Sequence, residues 1–232
     1  DPETYLEYLL NTMLRLTWCV PSAYYHSVPD VSLYDHSRIT AALAACFVSL
    51  DNDTRKATLD AVESAFKSDG KVNDDARMSR EIALLVGGDF SGIQSFIYTI
   101  TSKGAASALR GRSLYLQLLT EAVARYVLRE LDLPITNLIQ AGGGKFYLLA
   151  RRGDSDRLHD IQQTITRTLL AFHGSDLYIA LGSTPLAARD FKGKALSTKW
   201  GALAEEFGRA KNQKFSELGD DLHSLVFASG HD

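Results

Sequence analysis

The stretch EIALLVGGDFSGIQSFI, residues 81–97, decides how the chain is read. Residues 81–89 form an apolar run ended by Gly-Gly-Asp, which predicts a buried strand. Working outward, residues 110–131 (RGRSLYLQLLTEAVARYVLREL) predict a long helix with Leu114, Leu118, Ala122 and Val123 on one side, and Pro134 ends the connection that follows. Residues 137–150 (NLIQAGGGKFYLLA) read as strand, glycine turn, strand. Residues 156–173 predict a second helix with Leu158, Ile161, Ile165 and Leu169 on one face, and 176–182 (DLYIALG) a last strand ending before Pro185. The order is β-α-β-β-α-β, which predicts an α+β, ferredoxin-like (split-βαβ) unit over residues 81–186.

Two further regions flank that unit. Residues 3–17 carry a helical stripe of Leu6, Leu9, Leu10, Met13, Leu14 and Leu16. After a loop with Pro21 and Pro29, Asp35 or Ser37 is expected to cap an Ala-rich helix ending near Leu50. A short helix is expected near 54–67, then a charged connector, so residues 1–80 read as a helical subdomain or linker. Residues 187–232 read as a trailing helical segment; from Arg189 to Lys214 it carries seven basic and three acidic side chains, interleaved with Phe191, Trp200, Phe207 and Phe215.

Composition excludes several classes. With 232 residues, 45% hydrophobic and 23% charged, the chain is neither disordered nor low-complexity. A net charge of −3 leaves no global basic field to attract nucleic acid, only local patches. Two cysteines are too few for a disulfide scaffold and point to a reducing, cytoplasmic setting. No run approaches the roughly 18 apolar residues of a membrane helix. The opening Asp-Pro, without Met, is expected of a piece of a longer protein. P-loop, Gly-x-Ser-x-Gly and His-Glu-x-x-His patterns are missing from the sequence.

Three features carry chemistry. In polymerase and cyclase palms, which share this element order, the first strand ends in a metal-binding Asp, and the next turn offers N–H groups to a triphosphate. Asp89 stands at that place, followed by Ser91, Gly92 and Ile93 opening a short helix. Gly87, Gly88 and Gly92 would let a phosphate approach the backbone. Equally, Asp89 could cap the helix and the glycines serve the turn. The second feature is AGGGKF, residues 141–146. Catalytic palms place carboxylates here to hold two metal ions. This chain has Gly144 and Lys145, which suit phosphate but not Mg²⁺, and a plain hairpin turn fits the glycines as well. The third is SKGAASALRGRS, residues 102–113, where Lys103, Arg110 and Arg112 lie in a stretch without acids. With the two arginines at a helix N-terminus, phosphate or RNA contact would relieve an unfavourable placement; a solvated basic loop is the alternative. Asp35 and His36 suggest a metal, but the six histidines show no ligand spacing.

PDVSLYDHSRITAALA (29–44), GGDFSGIQSFIY (87–98), SKGAASALRGRSLYLQLLTEAVARYVL (102–128) and NLIQAGGGKFYLLA (137–150) together resemble the large signature subunit of type III CRISPR effector complexes, in its III-A (Csm) form. The resemblance implies a whole subunit with an HD nuclease domain, two cyclase-like palms and a helical region. It implies that the palms convert ATP, with Mg or Mn, into cyclic oligoadenylates when guide crRNA pairs with target RNA. This segment matches the linker and first palm. The family's catalytic Gly-Gly-Asp-Asp turn belongs to the second palm, so the segment is expected to be silent alone. Carried over residue by residue, Asp89, Phe90, Ser91, Gly92, Ile93 and Gln94, with Gly142, Gly143, Gly144 and Lys145, are candidates for ATP contact. No residue is assigned as catalytic, and Asp89 is the one candidate metal ligand. Expected partners are the second palm, crRNA, target RNA and small effector subunits, without a membrane. The alternative is a non-catalytic scaffold that binds RNA or neighbouring subunits through its basic patches.

Overall fold

The computed structural model describes residues 1–23, 28, 30–67, 76–98, 105–192 and 194–227. Its centre is an antiparallel sheet in the order β2-β3-β1-β4, formed by β1 (Glu81–Ser91), β2 (Leu138–Gly142), β3 (Lys145–Ala150) and β4 (Tyr178–Ala187). Between the strands lie α4 (Ile93–Tyr98), α5 (Ala105–Glu130) and α6 (Arg157–His173). The helices α1 (Pro2–Thr17), α2 (Leu33–Val48) and α3 (Asn52–Lys67) precede the sheet, and α7 (Ala195–Asn212) follows it. The chain is therefore α+β with the expected split-βαβ order.

β1 is apolar along its length because it is a middle strand covered on both sides. Leu84, Val86 and Phe90 enter a core with α5 and α6. Ala83 and Leu85 enter a second core with Ala42 and Cys46 of α2 and Leu203 and Phe207 of α7. The 81–97 stretch thus runs through the middle of a three-layer sandwich. The N-terminal helices do not swing free of it. Asn137, fully buried, donates through Nδ2 to the Leu149 carbonyl (2.7 Å) and the Ala42 carbonyl (3.3 Å), tying α2 to β3. Arg38 reaches across to the Leu138 carbonyl at 2.9 Å.

Several sequence expectations need correction. α2 is capped by Ser32, whose hydroxyl accepts from the Asp35 N–H, rather than by Asp35 or Ser37. α5 includes Ala105, so Arg110 and Arg112 lie in its second turn and not at its N-terminus. Its buried face is Leu116, Thr120, Val123, Ala124, Val127 and Leu128, whereas Leu114 and Leu118 are more than half exposed. Of the expected stripe Val123 is buried, while Leu114, Leu118 and Ala122 are exposed, because apolar residues occur all round this helix. The α6 face is as expected, with Leu158, Ile161, Ile165 and Leu169 buried.

β4 runs through Pro185 instead of ending before it. It is an edge strand, and Pro185 shares the outward parity of Ile179 and Leu181, so the missing N–H breaks no ladder bond. That edge is closed by Gln162 of α6, which accepts from the Leu181 N–H at 2.7 Å and donates to the Ile179 carbonyl at 2.8 Å. A side-chain amide thereby replaces a neighbouring strand.

Candidate functional site

The site begins with strand parity. Side chains alternate along β1, so Gly87 and Asp89 share the α2/α7 side with Leu85. Gly87 faces Gly182 across the β1–β4 ladder. A Cβ on Gly87 would lie 2.9 Å from the Phe207 ring, and one on Gly182 would lie 3.4 Å from it. The two glycines form a groove that lets Phe207 settle on the sheet, which draws α7 down onto β1 and β4. Gly88 does the same on the opposite face, where a Cβ would collide with the Phe146 ring at 2.3 Å. These glycines serve packing, which corrects the expectation that they leave room for phosphate.

With α7 seated, its last turn brings Lys211 to Asp89. Lys211 Nζ lies 2.8 Å from Asp89 Oδ2 and 3.2 Å from the Phe90 carbonyl oxygen. Lys145, the β3 register partner of Asp89, places its own Nζ 3.3 Å from the same Oδ2. Two ammonium groups thus converge on one carboxylate, and the cluster carries a net charge of +1. The side chain of Asp89 is 12% exposed, Lys211 27% and Lys145 50%. Lys145 therefore presents an open, charged face to solvent, while Lys211 is the inner partner.

The other expected site residues divide. Phe90 is buried in the α5/α6 core, and its N–H donates to the Gly144 carbonyl at 2.8 Å, so its side chain faces away from the cluster. Ser91 ends β1 opposite Tyr178. Gly92 has φ +90°, and a Cβ there would sit 1.8 Å from the Asp176 carbonyl oxygen, so only glycine lets the chain entering β4 pass this close. Ile93 packs against the α5/α6 core, and Gln94 is exposed on α4. Gly143 and Gly144, at φ +62° and +79°, form a two-residue hairpin turn joining Gly142 to Lys145. A Cβ on Gly144 would meet Ile93 Cδ1 at 2.1 Å, so the hairpin is pinned to α4.

The described basic residues expected to contact phosphate or RNA lie apart from this cluster. Lys103 lies outside the described residues. Arg110 is exposed on α5. Arg112 is half-buried, donates to the Phe96 carbonyl and stacks 5.4 Å over the Phe96 ring. It braces α4 against α5. Beside it, the Tyr115 hydroxyl meets His173 Nε2 at 2.8 Å. Among the described residues, no group of three or more His, Cys, Asp and Glu comes together to hold a metal. Asp89 in particular is met by two ammonium groups. The residue missed in the sequence is Lys211. Its only signal was the basic balance of 189–214, which singles out no member.

Comparison with known proteins places these features in a family. Residues 82–227 match the family described as Csm1 subunit domain B. The chain is 34% identical over 236 residues to the Methanocaldococcus jannaschii CRISPR system single-strand-specific deoxyribonuclease Cas10/Csm1 (subtype III-A), covering 90% of this chain and 29% of that protein. It is 40% identical over 191 residues to the Mycobacterium tuberculosis protein of the same description, covering 81% of this chain and 23% of that one. Among solved structures, a Csm1-Csm4 cassette in complex with cA4 superposes with a TM-score of 0.69 at 29% identity, over 94% of this chain and 29% of that chain. Csm1 from T. onnurineus gives a TM-score of 0.66 at 27% identity, over 89% and 27%. The chain spans under a third of the length of these relatives. No helix among the described residues is long and apolar enough to cross a membrane. With domain B matched from the start of β1 to beyond α7, the chain belongs to the Csm1 family, the Cas10 subunit of subtype III-A CRISPR systems.

Proposed function

We propose that this chain supplies the nucleotide-binding first palm of a type III CRISPR large subunit. It holds one ATP against a second palm, which carries the catalytic carboxylates and joins ATP into cyclic oligoadenylates in response to target RNA. The observation that carries this reading is the Asp89–Lys145–Lys211 cluster, with its net positive charge and the half-exposed ammonium of Lys145 beside the hairpin tip. A phosphate oxygen is the natural partner for that ammonium, and a charge-assisted bond to it is among the stronger polar contacts. Csm1-Csm4 cassettes similar to this chain have been solved with AMPPNP and with one ATP, which supports nucleotide as the ligand class. Gly144 and Lys145 replace the carboxylates a catalytic hairpin needs, so the chain binds and positions nucleotide while Mg or Mn chemistry belongs to the second palm. Partners on this reading are that palm, crRNA, target RNA and the small effector subunits.

The test is Lys145→Ala in the assembled two-palm complex, read by ATP titration and by cyclic oligoadenylate output. Loss of one charged hydrogen bond, about 1.5–3 kcal/mol, should weaken ATP at this site by about 10- to 100-fold, with output reduced alongside. A second reading is a scaffold that docks neighbouring subunits. It draws on the exposed Leu114, Leu118 and Phe172 of α5 and α6. Unchanged affinity and output in Lys145→Ala would discard the nucleotide site and favour the scaffold.

A further inference from the structure

A cation cradle is visible at the end of β1, and the chain fills it itself. Asp89 Oδ2 and the Phe90 carbonyl oxygen both point at Lys211 Nζ, at 2.8 and 3.2 Å. A carboxylate and a main-chain carbonyl side by side are the donor types that hold hard divalent cations. We propose that the Lys211 ammonium is the resident cation of this cradle, standing in the place of a divalent metal. Lys145 is not equivalent to it. Lys145 reaches the carboxylate at a longer distance and is twice as exposed, and only Lys211 shares the carbonyl.

The fold delivers this cation through packing. Leu203 and Phe207 seat α7 on the sheet, the Gly87–Gly182 groove admits Phe207, and Lys211 lies one turn beyond. The last turn of a helix also favours a cation, because its free carbonyls carry partial negative charge. The exchange of metal for lysine has a chemical consequence. An ammonium neutralises Asp89 and can donate to phosphate, but it has no open coordination position and cannot lower the pKa of a bound hydroxyl. The half-site is thereby limited to holding charge, whatever nucleotide occupies it.

The test is crystallographic and uses Mn²⁺ as probe, without nucleotide. Crystals of the complete subunit carrying this chain are soaked in Mn²⁺ and anomalous scattering is recorded for the wild type, Lys211→Ala, Lys145→Ala, Lys211→Arg and the double Lys145→Ala/Lys211→Ala. Lys211→Ala and the double variant should gain one Mn²⁺ between Asp89 Oδ2 and the Phe90 carbonyl, while the wild type, Lys145→Ala and Lys211→Arg show none there. Mn²⁺ at Asp89 in the wild type, with Lys211 displaced, would overturn the proposal. So would the lack of Mn²⁺ at Asp89 in the double variant. This readout is separate from ATP affinity, so it stands or falls independently of the nucleotide assignment.

Discussion

The two faces of the sheet are covered by different kinds of helix. On one side, α5 and α6 are the crossover helices of the βαββαβ unit, joined to the strands they cover, and their contact is apolar apart from the neutral Gln162 amide at the β4 edge. On the other, α2 and α7 arrive from outside that unit, and they bring polar groups with them: Arg38 to Leu138, Cys46 to Ala150, and Lys211 to Asp89. The first face holds the fold together. The second does that and also assembles the charged cluster at the end of β1. The lesson is that in this chain the charged cluster at the strand end depends on elements flanking the recognisable motif, not on the motif alone.

Truncating one buried side chain on each face sharpens that contrast most. Phe207→Ala and Ile165→Ala each remove a large apolar group from a core, and each should cost about 3–4 kcal/mol in urea unfolding. Only Phe207→Ala should also loosen α7, so at temperatures where both variants remain folded it alone should weaken ATP binding in the two-palm complex. Equal effects on ATP would break the distinction between the faces. Asn137→Ala comes next, because it leaves the buried Leu149 carbonyl without its side-chain donor and cuts the tie to the Ala42 carbonyl. The expected cost is about 2 kcal/mol, measured by the same unfolding experiment.

The smallest effect is the pH response of the α2 contact. Burial, followed by the charge of Asp154, pushes the Cys46 thiol up from 9.0 to about 12. A raised folded pKa means this group's contribution is intact below about pH 9 and is lost as pH rises toward 12. Alkaline destabilisation in that window should be reduced in Cys46→Ala. Native protein at pH 8 should be alkylated at the exposed Cys19 and protected at Cys46.

Much of the fold was legible in the sequence. The apolar run ending in Gly-Gly-Asp, the triple-glycine hairpin and the Leu158–Leu169 stripe are local patterns, and local patterns survive into structure because strand and helix periods are fixed by backbone geometry. The α5 face was misread because apolar residues at two offsets satisfy the same period, and only contact with β2 and β3 selects between them. The glycines of 87–92 were legible as close approaches, but not as approaches of Phe207, Phe146 and Asp176, since a missing Cβ does not say what fills the space.

The sequence by itself determined the element order, the position of Asp89 at a strand end, and the glycine hairpin turn that Lys145 follows. All three follow from residue type and spacing along a short stretch. Tertiary structure alone decided that Arg112 is a brace, that α2 completes the sheet's second core, and that Lys211 meets a carboxylate 122 positions away in the sequence. The physical reason is range. A lysine in an amphipathic helix carries no mark of its partner until apolar packing along the same side of that helix fixes where its last turn comes to rest.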